Sequence, residues 1–271
     1  MLDSVSRQIA VALSVCMALS ACGGNDKTVY IEEKVEPLYN EAVNSLETGY
    51  YAFAAKKFDE VDRQHPYSIW AIKAQLMSAY SNYQANKYDE AIIDLDRFIR
   101  LHPGNRDIAY AYYLRALAYY ERISDVSRDQ FMTERALASL TEVIRRFPNS
   151  KYARDAKLKV DLTRDHLAGK EMQVGRFYLT RKHYLAAINR FRRVIDNYQN
   201  TTHVPEALHR LVESYTALGI KEEARKVASV LGHNYPGTEW YVDAYAVATD
   251  TNPRDRPDKR GFLGRAWNWL F

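Results

Sequence analysis

Seven histidines, two cysteines and a knot of arginines are the residues of this chain whose chemistry could be put to work. His65, His102, His166, His183, His203, His209 and His233 include no pair three or four apart, the spacing that brings two imidazoles around one metal ion. His65 and His102 stand directly before Pro66 and Pro103, where they read as helix ends. A nucleophile elbow needs Gly-x-Ser-x-Gly and a phosphate cradle needs a glycine-rich loop; neither is written here, and the only adjacent glycines are Gly23 and Gly24. The basic residues are more informative. Residues 145–193 carry 14 basic and 4 acidic side chains, against 14 and 19 in residues 26–144 and 9 and 10 in residues 194–271. Arg190, Arg192 and Arg193, with Arg176, Arg181 and Lys182 nearby, suit an acidic protein surface or anionic headgroups. The chemistry on offer is binding, and no cofactor or metal is expected.

The elements that must position these groups are marked by an alanine ladder. Ala54, Ala91, Ala136, Ala187 and Ala224 are each followed four residues later by Phe58, Leu95, Leu140, Phe191 and Ala228. The same register closes on Pro66, Pro103, Pro148, Gln199 and Pro236, with Tyr51, Tyr88, Thr133, Tyr184 and Lys221 three residues before each alanine. A small residue lets two helix backbones approach, a bulky one on the next turn fills the groove, and proline stops the helix. This pattern resembles the tetratricopeptide repeat. It implies an all-α superhelix of five helix pairs, near residues 35–65, 68–101, 106–147, 151–198 and 204–235, followed by a capping helix over 239–249. The ladder's steps are 37, 45, 51 and 37 residues, longer than the usual interval of about 34. The polar stretch Ile123 to Gln130 is an inserted loop in the third repeat, and the fourth opens with an extended or doubled helix in which Gly169 and Gly175 are weak breakers.

The first residues are of a different kind. Arg7, the apolar run Ile9 to Leu19 and then Leu19-Ser20-Ala21-Cys22 resemble a bacterial lipoprotein signal with its lipobox. The resemblance implies cleavage before Cys22, an N-acyl and S-diacylglycerol lipid on that cysteine, and, with Gly23 following it, residence on the periplasmic face of the outer membrane. Cys16 falls in the discarded leader, so the folded part has no thiol for a disulfide or a metal. The expected division is a signal peptide over 1–21, a lipidated tether over 22–34, repeats 1–3 over 35–147, repeats 4–5 with the cap over 148–250, and a linker with an aromatic tail over 251–271. In that tail Phe262, Ala266 and Leu270 share a helical face, whereas as a strand Trp267, Trp269 and Phe271 alternate.

In tetratricopeptide arrays the second, fifth, ninth and twelfth positions of each first helix face the concave side. Those positions give Tyr39 in repeat 1, Tyr80 and Tyr83 in repeat 2, and Tyr110, Tyr113 and Tyr120 in repeat 3, an aromatic groove that suits an extended ligand carrying aromatic side chains. Repeats 4 and 5 supply Gly169, Met172, Arg176, Leu179, Glu206, His209, Glu213 and Thr216 there instead, so the aromatic lining is expected to stop after the third repeat.

Four segments carry a closer resemblance. Arg97 to Pro103, Tyr110 to Arg115, Phe147 to Ala153 and Ala187 to Arg190 are similar to segments of the BamD family, tetratricopeptide lipoproteins of the outer-membrane β-barrel assembly (BAM) machinery. The likeness runs from about Tyr39 to Pro236; Tyr67-Ser68 replaces the family's usual aromatic-glycine, and the tail after Thr251 is not a general family feature. It implies a non-enzymatic scaffold that binds the periplasmic domains of BamA, other BAM lipoproteins and the C-terminal signal of unfolded outer-membrane proteins. By the same resemblance Arg190, of the Asn189-Arg190 pair, belongs to the BamA contact, and the N-terminal repeats meet the substrate signal; Arg193 and Arg176 of the basic cluster are expected to join Arg190 there. The competing expectation is a tetratricopeptide adaptor of the Tol or peptidoglycan-synthesis systems.

Overall fold

The computed structural model describes residues 32–249. The leader, Cys22 and the aromatic tail lie outside the described residues.

Each rung of the alanine ladder is buried. Ala54, Ala91, Ala136 and Ala187 have no exposed surface and Ala224 has 1 %, and their partners Phe58, Leu95, Leu140 and Phe191 are also fully enclosed. Eleven described helices result. They are α1 (Val35–Glu47), α2 (Tyr51–Gln64), α3 (Ile69–Gln84), α4 (Tyr88–Leu101), α5 (Ile108–Tyr120), α6 (Phe131–Arg146), α7 (Lys151–Thr180), α8 (Tyr184–Asn197), α9 (Val204–Ala217), α10 (Lys221–Asn234) and α11 (Glu239–Thr249). Consecutive helices pack as antiparallel neighbours. In addition α1 touches α3, α3 touches α5, α5 touches α7, and α9 touches α11, so the odd-numbered helices form an inner layer and the even-numbered ones an outer layer.

Short local rules fix the turns. α2, α4, α6, α8 and α10 all end on a residue with φ between −134° and −128°, and four of these residues precede proline, which disfavours the helical region for its neighbour. The fifth, Tyr198, precedes Gln199 and adopts the same geometry, so the repeat's packing suffices without the ring. Within pairs, Gly49, Asn86, Lys182 and Gly219 turn the chain with positive φ; the third pair has the inserted loop at that place instead. Ser68 and Ser150 cap α3 and α7, each side chain accepting from the backbone N–H three residues on, at 3.1 Å.

α7 is one uninterrupted 30-residue helix. Its first half belongs to the third repeat, where Ala156 and Val160 share a core with Tyr112, Leu140 and Val143. Its second half belongs to the largest core, in which Ala168 and Met172 join Phe191, Leu211 and Leu231. Gly169 and Gly175, expected to weaken the helix, are sites of close approach. A Cβ at Gly175 would lie 2.4 Å from the Phe191 ring, and one at Gly169 would lie 3.2 Å from the His203 imidazole.

The inserted loop is also organised from inside. Gln130 is buried; its Nε2 donates to the Asp125 and Arg128 carbonyls at 3.2 and 3.0 Å, while its Oε1 accepts from Thr133 Oγ1 at 2.9 Å. Lys170 of α7 holds the outside of the loop by donating to the Ser127 and Arg128 carbonyls.

Candidate binding surfaces

The inner layer brings four of the six expected groove tyrosines together. Tyr80 and Tyr83 on α3 and Tyr110 and Tyr113 on α5 are half-buried, and the α3 tyrosines lie close enough to Tyr110 to add to the rise of its hydroxyl. Tyr110 and Tyr113 pack on Tyr152 of α7 at ring separations of 5.6 and 5.2 Å, the second pair stacked at 27°. The Tyr113 hydroxyl donates to Asp155, Tyr83 donates to Glu121 at 3.3 Å, and Tyr80 accepts from Gln84 at 2.7 Å. Burial, reinforced by Glu121, pushes the Tyr83 hydroxyl up to about 12, and burial likewise raises Tyr110 and Tyr113. Tyr83 and Tyr113 already donate their protons to carboxylates and offer a peptide backbone acceptor lone pairs, while Tyr110, raised by burial, keeps its proton to donate. The other two tyrosines serve elsewhere. Tyr39 fills the joint between the first two repeats, 5.4 Å from Phe58 and 4.7 Å from Trp70, and Tyr120 lies under the Lys159 ammonium at 4.9 Å.

The inward positions Gly169, Met172, Arg176 and Leu179 expected for repeat 4 lie in the second half of α7, a register that omits Tyr152, Asp155 and Lys159. Counted from its start at Lys151, the second, fifth and ninth positions are Tyr152, Asp155 and Lys159. The long helix thus supplies two sets of inward side chains, and the aromatic lining runs on into it.

The three arginines expected at the BamA contact do not form one cluster. Arg190 and Arg193 on α8 both reach Glu171 of α7, at 3.1 and 3.4 Å. Arg176 reaches forward to α9, where both Glu206 oxygens accept from it at 3.0 and 2.9 Å. Arg190 and Glu171 line a cleft of about 490 Å³ whose far wall is the inserted loop, with Phe131, Glu134 and Tyr198 beside them. Burial and the Glu171 and Glu134 charges raise the Tyr198 hydroxyl. The basic excess of residues 145–193 is therefore met in part inside the fold: Glu171 holds Arg190 and Arg193, and Glu206 holds Arg176 together with its own helix neighbour Arg210, at 3.5 Å.

His209, an inward position of repeat 5, is buried 5.4 Å from the Trp240 ring, and its Nδ1 has no hydrogen-bond partner. Burial, then Arg210, holds its pKa below the ordinary histidine value, against smaller opposing effects of Glu213, Asp243 and Glu206. A base depressed in the folded state binds fewer protons there than when unfolded, so stability falls as pH drops below the unfolded value of about 6.5. We expect the drop in Tm between pH 7.5 and pH 5.5 to shrink in a His209→Leu variant relative to the parent, measured by circular dichroism.

Stacked helix pairs with an aromatic inner face and an arginine-bearing cleft define a helical-repeat scaffold that binds other proteins. Residues 32–231 match the YfiO family, described as outer membrane lipoprotein. The chain is 49 % identical over 255 residues to the outer membrane protein assembly factor BamD of Caulobacter vibrioides, covering 92 % of this chain and 84 % of that one. It is 49 % identical over 243 residues to its counterpart in Rickettsia prowazekii, covering 90 % and 97 %, and 35 % identical over 254 residues to that of Neisseria meningitidis serogroup A, covering 88 % and 95 %. The chain belongs to the BamD family of outer membrane protein assembly factors. It is an outer membrane lipoprotein, a non-enzymatic scaffold and a component of the BAM complex. Among solved structures it is similar to the TPR2AB domain of yeast Sti1, at a TM-score of 0.41 and 12 % identity over 80 % of this chain and 83 % of that one.

Proposed function

We propose that this lipoprotein, anchored through Cys22, works through two surfaces joined by α7. The tyrosine face of α3, α5 and the first half of α7 receives the C-terminal signal of unfolded outer-membrane proteins, an extended segment with aromatic side chains. The Arg190 cleft, with Arg193 and with Arg176 on the adjoining face, receives the periplasmic domains of BamA. Other BAM lipoproteins complete the assembly. The observation that carries this reading is the set of half-buried tyrosines on α3 and α5, with Tyr110 and Tyr113 packed on Tyr152 of α7. Such rings offer large contact area at low entropic cost together with hydroxyl oxygens that can accept from main-chain N–H groups. The cores change partners within α7, between Val160 and Ala168, which supports a boundary between the two surfaces inside that helix rather than at residue 148.

Replacing Tyr80, Tyr83 and Tyr113 together with alanine is expected to reduce crosslinking of an outer-membrane-protein C-terminal peptide about tenfold, as loss of several aromatic anchors does. Helix content, followed by circular dichroism, should be retained. Undiminished crosslinking by the folded variant would remove the tyrosine face from substrate recognition.

A further inference from the structure

The two most exposed large apolar side chains of the described residues are on one turn. Tyr67 is 101 % and Ile69 75 % exposed, in the connection between α2 and α3. The same turn is where the N-terminal segment joins the array. The Glu33 N–H donates to Gln64 Oε1 at 2.8 Å, and the His65 ring is 2.7 Å from the Glu33 carbonyl oxygen, so the segment leading from the membrane is pinned to the last residues of α2. Cys22 is 11 residues before Glu33. A chain of that length spans about 40 Å when fully extended and about 18 Å as a flexible coil, so the lipid holds this corner of the array near the headgroups.

We propose that the α2–α3 turn is a membrane foothold, with Tyr67 and Ile69 seated in the headgroup layer of the leaflet that carries the lipid anchor. Nothing in the helix packing uses these side chains: Ile69 opens α3 pointing into solvent, and Ser68 between them already caps that helix. Tyrosine favours the interface because its ring is apolar and its hydroxyl stays wet, while isoleucine reaches the acyl boundary. Two side chains are too few to hold a protein on a bilayer alone. Beside a covalent lipid they convert a swinging attachment into a defined orientation, because the second contact forms at the high local concentration that the tether sets. The inference rests on Cys22 carrying the lipid.

The test uses the mature lipidated full chain on phospholipid vesicles. With the Cys22 sulfur in a thioether, Ile69→Cys introduces a unique thiol for an environment-sensitive fluorophore, and Ile93→Cys, 67 % exposed on α4, is the reference. Quenching by spin-labelled lipids is expected to be about threefold stronger at position 69 than at position 93, and Tyr67→Asp in the position 69 protein should return it toward the reference level. Equal quenching at the two positions, or indifference to Tyr67→Asp, overturns the foothold while leaving the anchor. A chain that fails to float with vesicles overturns lipidation at Cys22, and the foothold with it.

Discussion

Replacing Phe191 with alanine is expected to cost about 3–5 kcal/mol, the usual range for removing a fully buried phenylalanine from a core that cannot collapse. The site is unusually constrained. Phe191 has no exposed surface, and its ring sits against the backbone of α7 at Gly175. That contact exists only because Gly175 lacks a side chain: a Cβ there would meet Cε1 of the ring at 2.4 Å and Cδ1 at 2.8 Å. Deleting the ring therefore leaves a void facing main chain, and a long helix anchored at both ends cannot shift into it. The reciprocal change carries a test of sign. Glycine inside a helix is about 1 kcal/mol worse than alanine by propensity alone, so Gly175→Ala on a free helix face would stabilise. Here overpacking, at about 1–3 kcal/mol, should outweigh that gain and make Gly175→Ala destabilising in urea unfolding. Combined with Phe191→Leu, Gly175→Ala should cost less than it does alone, because the clashing ring atoms are gone. A stabilised Gly175→Ala protein would show that the ring yields and that the close approach matters little.

That pair also explains why some of the architecture was legible in the sequence and some was not. Ala54, Phe58 and their equivalents could be read because one local spacing governs both helix packing and residue choice, and five copies repeat it. The continuity of α7 is only half legible, since the stretch without proline reads as either an extended or a doubled helix. Gly169 and Gly175 carry the same local signal whether they break a helix or admit a neighbour, and only the positions of His203 and Phe191 decide between the two. An inward register placed from Gly169 therefore omits Tyr152, Asp155 and Lys159 from the surface they complete. The inserted loop is legible as a polar stretch without a period, Ile123 to Gln130, but its internal order is not: the bonds of Gln130 and Lys170 to backbone carbonyls leave no trace in composition. Charge counting marks residues 145–193 as basic, but it does not show that three of their arginines are held inside the fold, Arg190 and Arg193 by Glu171 and Arg176 by Glu206.

Those internal pairings set up the sharpest test of the proposed BamA contact, because Arg190→Gln and Glu171→Gln remove the same bond from opposite ends. The Arg190 side chain is 32 % and Glu171 17 % exposed, and a partly exposed pair of this kind contributes at most about 1 kcal/mol to stability. If the pair served the fold alone, both substitutions would lower stability slightly and affect partner binding alike. A partner carboxylate that takes over the Arg190 guanidinium predicts opposite outcomes. Arg190→Gln should then weaken binding of the BamA periplasmic domains by about 30-fold, the effect of truncating one side of a desolvated charge pair at an interface. Glu171→Gln removes the internal competitor and leaves both Arg190 and Arg193 free to meet the partner, so affinity should hold or rise and become more sensitive to salt. Titration calorimetry of the two variants at two ionic strengths separates the cases. Equal losses would assign Arg190 to the joint between α7 and α8, whereas divergence would make Glu171 the residue that keeps the binding arginines aligned until the partner arrives.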